Sequence, residues 1–190
     1  MHRKPFLDLL AAYAAQAPEA EQPLLAELAG FVKTTPNCFE RHHEAGAKHL
    51  CASVLLVRDD LSQALLGKHK KTGFWIQAGG GHMDGDTDPA KVALKELMEE
   101  TGITTAHLPQ ALPLDIFAIH YGPATFGYEK TIYDVRFLAT VPHGIEPSIF
   151  DEFHELRWVT PEEGLALARA DKNAGTRQLV EKWQAYLQTR

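Results

Sequence analysis

Cysteine is scarce: Cys38 and Cys51 are the whole supply in 190 residues. Two thiols without metal-ligand spacing build neither a disulfide scaffold nor a zinc site. Their plain reading is incidental reduced side chains in a cytoplasmic protein. Long apolar runs are missing as well, so no membrane-spanning segment is expected. Arg3 and Lys4 precede an apolar stretch that ends in Ala15-Gln16-Ala17, after the fashion of a secretory leader, but Asp8 interrupts it and no leader is expected. Basic excess is absent too. The net charge of −6 excludes a dedicated binder of duplex nucleic acid. It leaves a phosphate-bearing substrate open, because a bound metal can supply the local positive charge. There is no internal repeat, and the length suits one domain with at most an appendage.

What the chain does have is a glycine loop feeding a short helix. Gly80-Gly81-His82-Met83-Asp84-Gly85-Asp86-Thr87-Asp88-Pro89 leads into Lys95-Glu96-Leu97-Met98-Glu99-Glu100-Thr101-Gly102-Ile103. Asp88 suits the N-cap, Pro89 the first helical position and Gly102 the stop. Glu96, Glu99 and Glu100 stand at i, i+3 and i+4, which predicts three carboxylates on one face. Like charges so arranged repel, and a hard divalent cation, Mg²⁺ or Mn²⁺, reverses the sign. The glycines before the helix can turn a backbone carbonyl toward the same ion.

Gly81-x5-Thr87-x7-Lys95-Glu96-Leu97-x-Glu99-Glu100-x-Gly102-Ile103 resembles the Nudix box, G-x5-E-x7-R-E-U-x-E-E-x-G-U with U aliphatic. Two positions depart from it: Thr87 replaces a glutamate and Lys95 an arginine. In the family those two support each other, so a replaced strut is expected, with Asp84 or Asp86 as the anion and Lys95 as the cation. The stretch from Gly67 to Asp88 also resembles a bacterial Nudix subgroup with G-G-H-x-D-G-D-T-D, which assigns no substrate. The resemblance implies an α/β/α sandwich with a mixed sheet. Its activity would be Mg²⁺-dependent hydrolysis of a phosphoanhydride in a nucleoside diphosphate linked to another moiety. It further implies Glu99, Glu100 and the Gly80 carbonyl as metal ligands. Glu96 would hold a second ion or orient the water. Family members often recruit a base from outside the box; Glu152 and Glu155 are the candidates, with Glu129 behind them. The isopentenyl diphosphate isomerase branch uses a cysteine in a distinctive motif that neither Cys38 nor Cys51 occupies, so isomerase activity is not expected. A nucleotide sensor without turnover is the alternative function.

The rest of the chain frames that stretch. Residues 5–16 and the segment with Leu24, Leu25, Leu28, Phe31 and Val32 predict a helical hairpin. With residues 1–35 as this extension, residues 36–190 form the main domain. The hairpin reads as a cap on the sheet, with a homodimer contact or a substrate lid as the functional readings. Arg41-His42-His43 reads as a connecting loop, with phosphate binding as its functional reading. Ala52–Val57 predicts a central strand, and Ala64–Leu66 starts its return. Lys68-His69-Lys70-Lys71 is either a solvated strand end or a phosphate contact, Lys70 foremost. Strands are expected over Leu114–Tyr121 and Thr131–Val141, the second with Tyr133, Val135 and Phe137 on one face and Asp134 and Arg136 on the other. If that second face forms the cleft, Asp134, Arg136 and His120 touch substrate, along with His82 from the box. Trp75, Phe126, Tyr128 and Tyr133 are the aromatics considered for stacking a base. Thr160, Pro161 and Glu163 predict a capping box, and Asn173–Leu187 a last helix.

Overall fold

The protein is described by a computed structural model, which covers residues 2–41, 47–123, 127–148 and 152–189. His42, His43 and Phe126, all noted in the sequence, lie outside the described residues. Two helices come first, α1 (Lys4–Ala14) and α2 (Gln22–Thr34), joined by a 3₁₀ turn at Glu19–Glu21. Strands β1 (Ala47–Arg58), β2 (Ala64–His69), β3 (Trp75–Gln77) and β4 (Gly80–His82) precede helix α3 (Pro89–Thr101). Then follow β5 (Asp115–Tyr121), β6 (Lys130–Val141), β7 (Phe153–Val159), α4 (Pro161–Ala170) and α5 (Ala174–Leu187).

The strands form one mixed sheet in the order β3-β2-β1-β6-β5, with β4 pairing β1 and β7 pairing β2. Strands β1 and β6 run parallel, in register from Ala47↔Lys130 to Arg58↔Val141. That long buried pairing is the spine, and it extends the expected strand Ala52–Val57 at both ends. One face of the spine carries Leu50, Ala52, Val54 and Leu56 with Tyr133, Val135 and Phe137, packed under α1, α2 and α3 in one core cluster. The opposite face carries Leu55, Val57 and Leu138, packed against Leu165 of α4 and Leu179, Val180 and Trp183 of α5. The result is helix, sheet, helix: two layers of helices closing a two-sided sheet. The N-terminal hairpin belongs to the first core, through Phe6, Leu10, Leu28 and Val32, and Tyr133 donates its hydroxyl to Glu27 at 2.6 Å.

Local signals act as their chemistry requires. Asp88 caps α3 by accepting from the amides of Ala90 and Lys91, and Gly102 ends it in the left-handed region. Thr160 and Glu163 exchange both bonds of a capping box at α4, and Asn173 caps α5. Strand β7 carries no strict apolar alternation, which is why the segment before α4 was not expected as a strand. It is recruited by β2, from Ala64↔Val159 to His69↔Phe153.

The sheet splits where the site forms. Strand β1 pairs with β2 only at Val57↔Ala64; farther back it takes β4 instead, at Cys51↔His82, Ala52↔Gly81 and Ser53↔Gly80. Between β3 and β4 the chain turns at Gly79, with φ +92° and Leu97 of α3 directly beneath; a Cβ there would lie 2.8 Å from the Leu97 Cα. Gly79→Ala thus combines left-handed strain with a backbone clash, and the expected loss is about 2 kcal/mol or more of unfolding free energy in urea. A variant as stable as the parent would show that this turn has room to relax.

Candidate active site

Helix α3 presents its carboxylates unequally. Adjacent positions on a helix are about 100° apart, so Glu99 and Glu100 diverge. Glu100 is buried and accepts from the Gly79 amide at 2.7 Å and the Gly80 amide at 3.4 Å. Glu96 lies against Gly81, where even a Cβ would fall 2.1 Å from its carboxyl carbon. Glu99 turns outward to Lys95, 3.2 Å away. The expectation of three carboxylates sharing one face is corrected to two inward and one outward. The strut is corrected as well. Lys95 stays with Glu99, while Asp84 forms a two-bond pair with Arg41, at 3.1 and 2.7 Å, and Asp86 pairs with Lys91 at 2.7 Å. Lys91 stands one helical turn nearer the loop than Lys95, which decides the partner.

Of these groups Glu100 borders a cavity of about 300 Å³ on the α4–α5 side of the sheet. Glu100, Gly80 and Glu152 form part of its lining. The Lys70 amide donates to the Glu152 carbonyl at 2.8 Å and so brings Glu152 to the mouth. His69 stands beside it, with Nε2 3.9 Å from the carboxylate. Its Nδ1 accepts from the amides of Lys71 and Thr72, each at 3.2 Å, which leaves the ring proton on Nε2 facing Glu152. Burial lowers the His69 pKa, with Glu152 opposing, which favours that neutral form.

Burial, and secondarily the charges of Glu152 and Glu96, push the Glu100 carboxyl up to about 7, against the pull of the Gly79 amide. Burial raises Glu96 in the same direction. Among the described residues Glu100 forms no ion pair. A site of hard oxygen donors short of positive charge has the chemistry to hold Mg²⁺ or Mn²⁺. The donors do not converge in the form described, however. Among the described residues, three ligand atoms gather within 4.8 Å of one another only at Asp59, Asp60 and His143, an exposed group at the β1–β2 turn.

The remaining candidates divide by face. Asp134 and Arg136 line the cavity and are 5% and 3% exposed. His120 does not: Phe117, Ile119 and Tyr121 face the cavity, so the alternation of β5 turns His120 away, where it meets Thr131 Oγ1 at 3.1 Å. Glu155 is not brought to the cavity either; it pairs with Arg157 at 2.6 Å on β7. Lys70 is exposed beyond the mouth, and His82 lies behind Cys51, Nδ1 to Sγ 3.4 Å. Of the aromatics named for stacking, Trp75 and Tyr133 are core residues. The cavity takes its aromatic lining from Phe74, Phe117, Tyr121 and Phe153. Ser53, Gln77 and Cys51 also line it and were missed. Their signal was the period-two alternation of β1, which puts Cys51 and Ser53 on the face of Asp134.

A mixed sheet between helices, with a loop-and-helix glutamate site at its split edge, defines a class of phosphate-transforming folds. A model of the NUDIX domain matches residues 47–183, and this chain belongs to the Nudix hydrolase family. A curated relative, isopentenyl-diphosphate Delta-isomerase of Ruegeria pomeroyi, is 34% identical over 122 residues; the match spans 62% of this chain and 65% of the relative's length. The C. elegans Ap4A hydrolase, in a binary complex, has a TM-score of 0.58 at 19% identity, covering 75% of this chain and 99% of that one. The E. coli dihydroneopterin triphosphate pyrophosphohydrolase gives 0.55 at 18%, over 70% and 92%. At those identities the likeness to the solved structures is one of fold. No helix among the described residues is long and apolar enough to cross a membrane.

The raised Glu100 pKa has a definite sign in stability. The unfolded chain ionises this group near 4.5 and the folded one near 7. Between those values the folded chain holds the extra proton, so stability falls as pH rises through that window. The full penalty, on the order of 3 kcal/mol, is present above it. Metal-free urea titrations are expected to show Glu100→Gln gaining on the parent from pH 5 to pH 8. A stability difference independent of pH would remove the shift.

Proposed function

We propose that this protein hydrolyses a phosphoanhydride bond in a nucleoside diphosphate linked to another moiety, with Mg²⁺ or Mn²⁺ as cofactor. The observation that carries the reading is Glu100: a buried carboxylate in the cavity lining, raised by the charges of Glu152 and Glu96, with no ion pair to it among the described residues. Glu96 and Glu100 would hold the metal, with the Gly80 carbonyl within the same loop and Glu99 available by a change of rotamer. The bound ion would polarise phosphoryl oxygens and lower the pKa of water. Glu152 is the base we favour over Glu155, because it lines the cavity and its charge acts on both Glu96 and Glu100. The sheet face behind the mouth would hold the part of the substrate that carries no phosphate.

A second reading follows from the curated relative named an isomerase. Cys51 stands in the cavity wall, and burial pushes its thiol far above the thiolate range. A protonated thiol near a diphosphate site is compatible with allylic proton transfer, so isopentenyl diphosphate belongs in the substrate panel.

The test is metal-dependent release of phosphate or nucleoside monophosphate from a panel of nucleoside diphosphate derivatives, with isopentenyl diphosphate alongside. Turnover is expected to need Mg²⁺ or Mn²⁺ and to fall about 100-fold or more in Glu100→Gln and Glu152→Gln. Glu155→Gln is expected to stay within about threefold of the parent, as surface charge changes usually do. Tight binding without turnover on any member would favour the sensor. Double-bond migration in isopentenyl diphosphate that is lost in Cys51→Ala would favour the isomerase.

A further inference from the structure

We propose that Arg41, from the segment that follows the N-terminal hairpin, is a positioning residue for the glycine loop: by holding Asp84 it fixes the turn that keeps Gly80 and Gly81 against Glu100 and Glu96. This deepens, and rests on, the reading that the loop and these glutamates hold a dication.

Thr87 and Lys95 stand where the family's box has a glutamate and an arginine. Lys95 is engaged on its own helix, 3.2 Å from Glu99, so a brace for the loop has to come from elsewhere. Met83-Asp84-Gly85-Asp86 is a tight turn, closed by the Asp86 amide on the Met83 carbonyl at 2.9 Å. Both central residues have positive φ, +45° at Asp84 and +88° at Gly85. Glycine adopts that geometry freely, whereas an aspartate is strained by it. Contacts from outside the turn offset the strain. Arg41 clasps the Asp84 carboxylate with two bonds, from Nε at 3.1 Å and Nη2 at 2.7 Å. The Gly85 amide donates to the Phe39 carbonyl at 2.9 Å. Exposed ion pairs usually add little to global stability, but a two-bond fork fixes direction as well as charge. The guanidinium also holds the Asp84 carboxyl below its usual range. The charge of Asp84 is felt at Glu96, so the clasp screens one anion from another.

The arginine is itself held at its base. Phe39 is buried, with its ring edge-on to Phe6 of α1 at 5.6 Å. Arg3 donates to the carbonyls of Lys33 and Pro36. Contacts therefore run from the hairpin through residues 36–41 to the turn, and from the turn to β4, which pairs with β1 at Cys51↔His82 and Ser53↔Gly80. Glu100 anchors one end of this short strand at Gly79, and Arg41 anchors the other. The N-terminal hairpin is thereby part of the site's support.

The test is amide hydrogen exchange on the metal-free protein, followed by Mn²⁺ titration in a calorimeter. In Arg41→Ala the Met83, Gly85 and Asp86 amides are expected to exchange about fivefold or more faster than in the parent, with the β1 and β6 amides unchanged. Mn²⁺ affinity is expected to fall about tenfold or more, the range for groups that orient a metal's ligands. Arg41→Lys keeps the charge and loses the fork, and is expected to fall between the parent and Arg41→Ala. Asp84→Asn tolerates the same φ and is expected to reproduce the Arg41→Ala losses. The double variant is expected to lose no more than either single one. Parent-like loop exchange or parent-like Mn²⁺ affinity in Arg41→Ala, acceleration spread evenly over β1 and β6, or losses that add in the double variant would overturn the assignment. Asp84→Asn carries the comparison even if Arg41→Ala does not fold. No Mn²⁺ uptake by the parent sinks the metal reading alone, because exchange is measured without metal; unchanged loop exchange with Mn²⁺ still bound sinks the positioning role alone.

Discussion

One buried carboxylate ties the site together. Glu100 reaches from the last turn of α3 to the amides of Gly79 and Gly80, so helix and glycine loop cannot move apart without leaving a charge or two N–H groups unpaired. Leu97 fills the space under Gly79 from the same helix. The loop is then pinned at its far end by the Arg41–Asp84 pair and by Asp88 capping α3. Burial raises Glu100 and Glu96 together, and the charge of Glu152 raises them further. The same group that fixes the loop therefore couples its shape to whatever positive charge arrives.

The split sheet gives the cleft two chemistries. Where β1 leaves β2 for β4, Glu100 from α3 on one side of the sheet reaches the cavity on the other. Deeper in, β5 and β6 supply an apolar wall with one buried acid–base network, Asp134–Arg136–Asp115, which the N-terminal end of α5 closes through the Gly175 carbonyl and Gln178. The turn between α4 and α5 holds the floor of this arrangement: Asp171 accepts from the Trp75 amide at 2.7 Å and from Lys68 at 3.0 Å.

Much of this was legible in the chain. Asp88, Pro89 and Gly102 mark both ends of α3, and Thr160 with Glu163 marks the start of α4, because caps are local chemistry with few alternatives. The apolar face of β6 followed from alternation, and with it the placement of Asp134 and Arg136 together. His120 was grouped with Asp134 and Arg136, but the phase of β5 separates it from them: an odd–even count from Phe117 turns it away from the cavity. Lys95 was misread because spacing along a helix does not say which of two anions, loop or helix, lies nearer. Strand β7 escaped notice because an edge strand with one protected face need not alternate.

The sequence by itself determined the helix that bears the glutamates, the loop before it and the family to which both belong. These rest on contacts between residues close in the chain, where spacing is geometry. Only the tertiary structure decided that Glu100 faces in while Glu99 faces out, that Arg41 pairs with Asp84, and that Asp134 gathers Ser53, Gln77 and Arg136 on one oxygen. The Arg41–Asp84 and Ser53–Asp134 contacts join segments more than forty residues apart, and the Glu100–Gly79 contact spans 21 residues; no local pattern encodes which partner arrives.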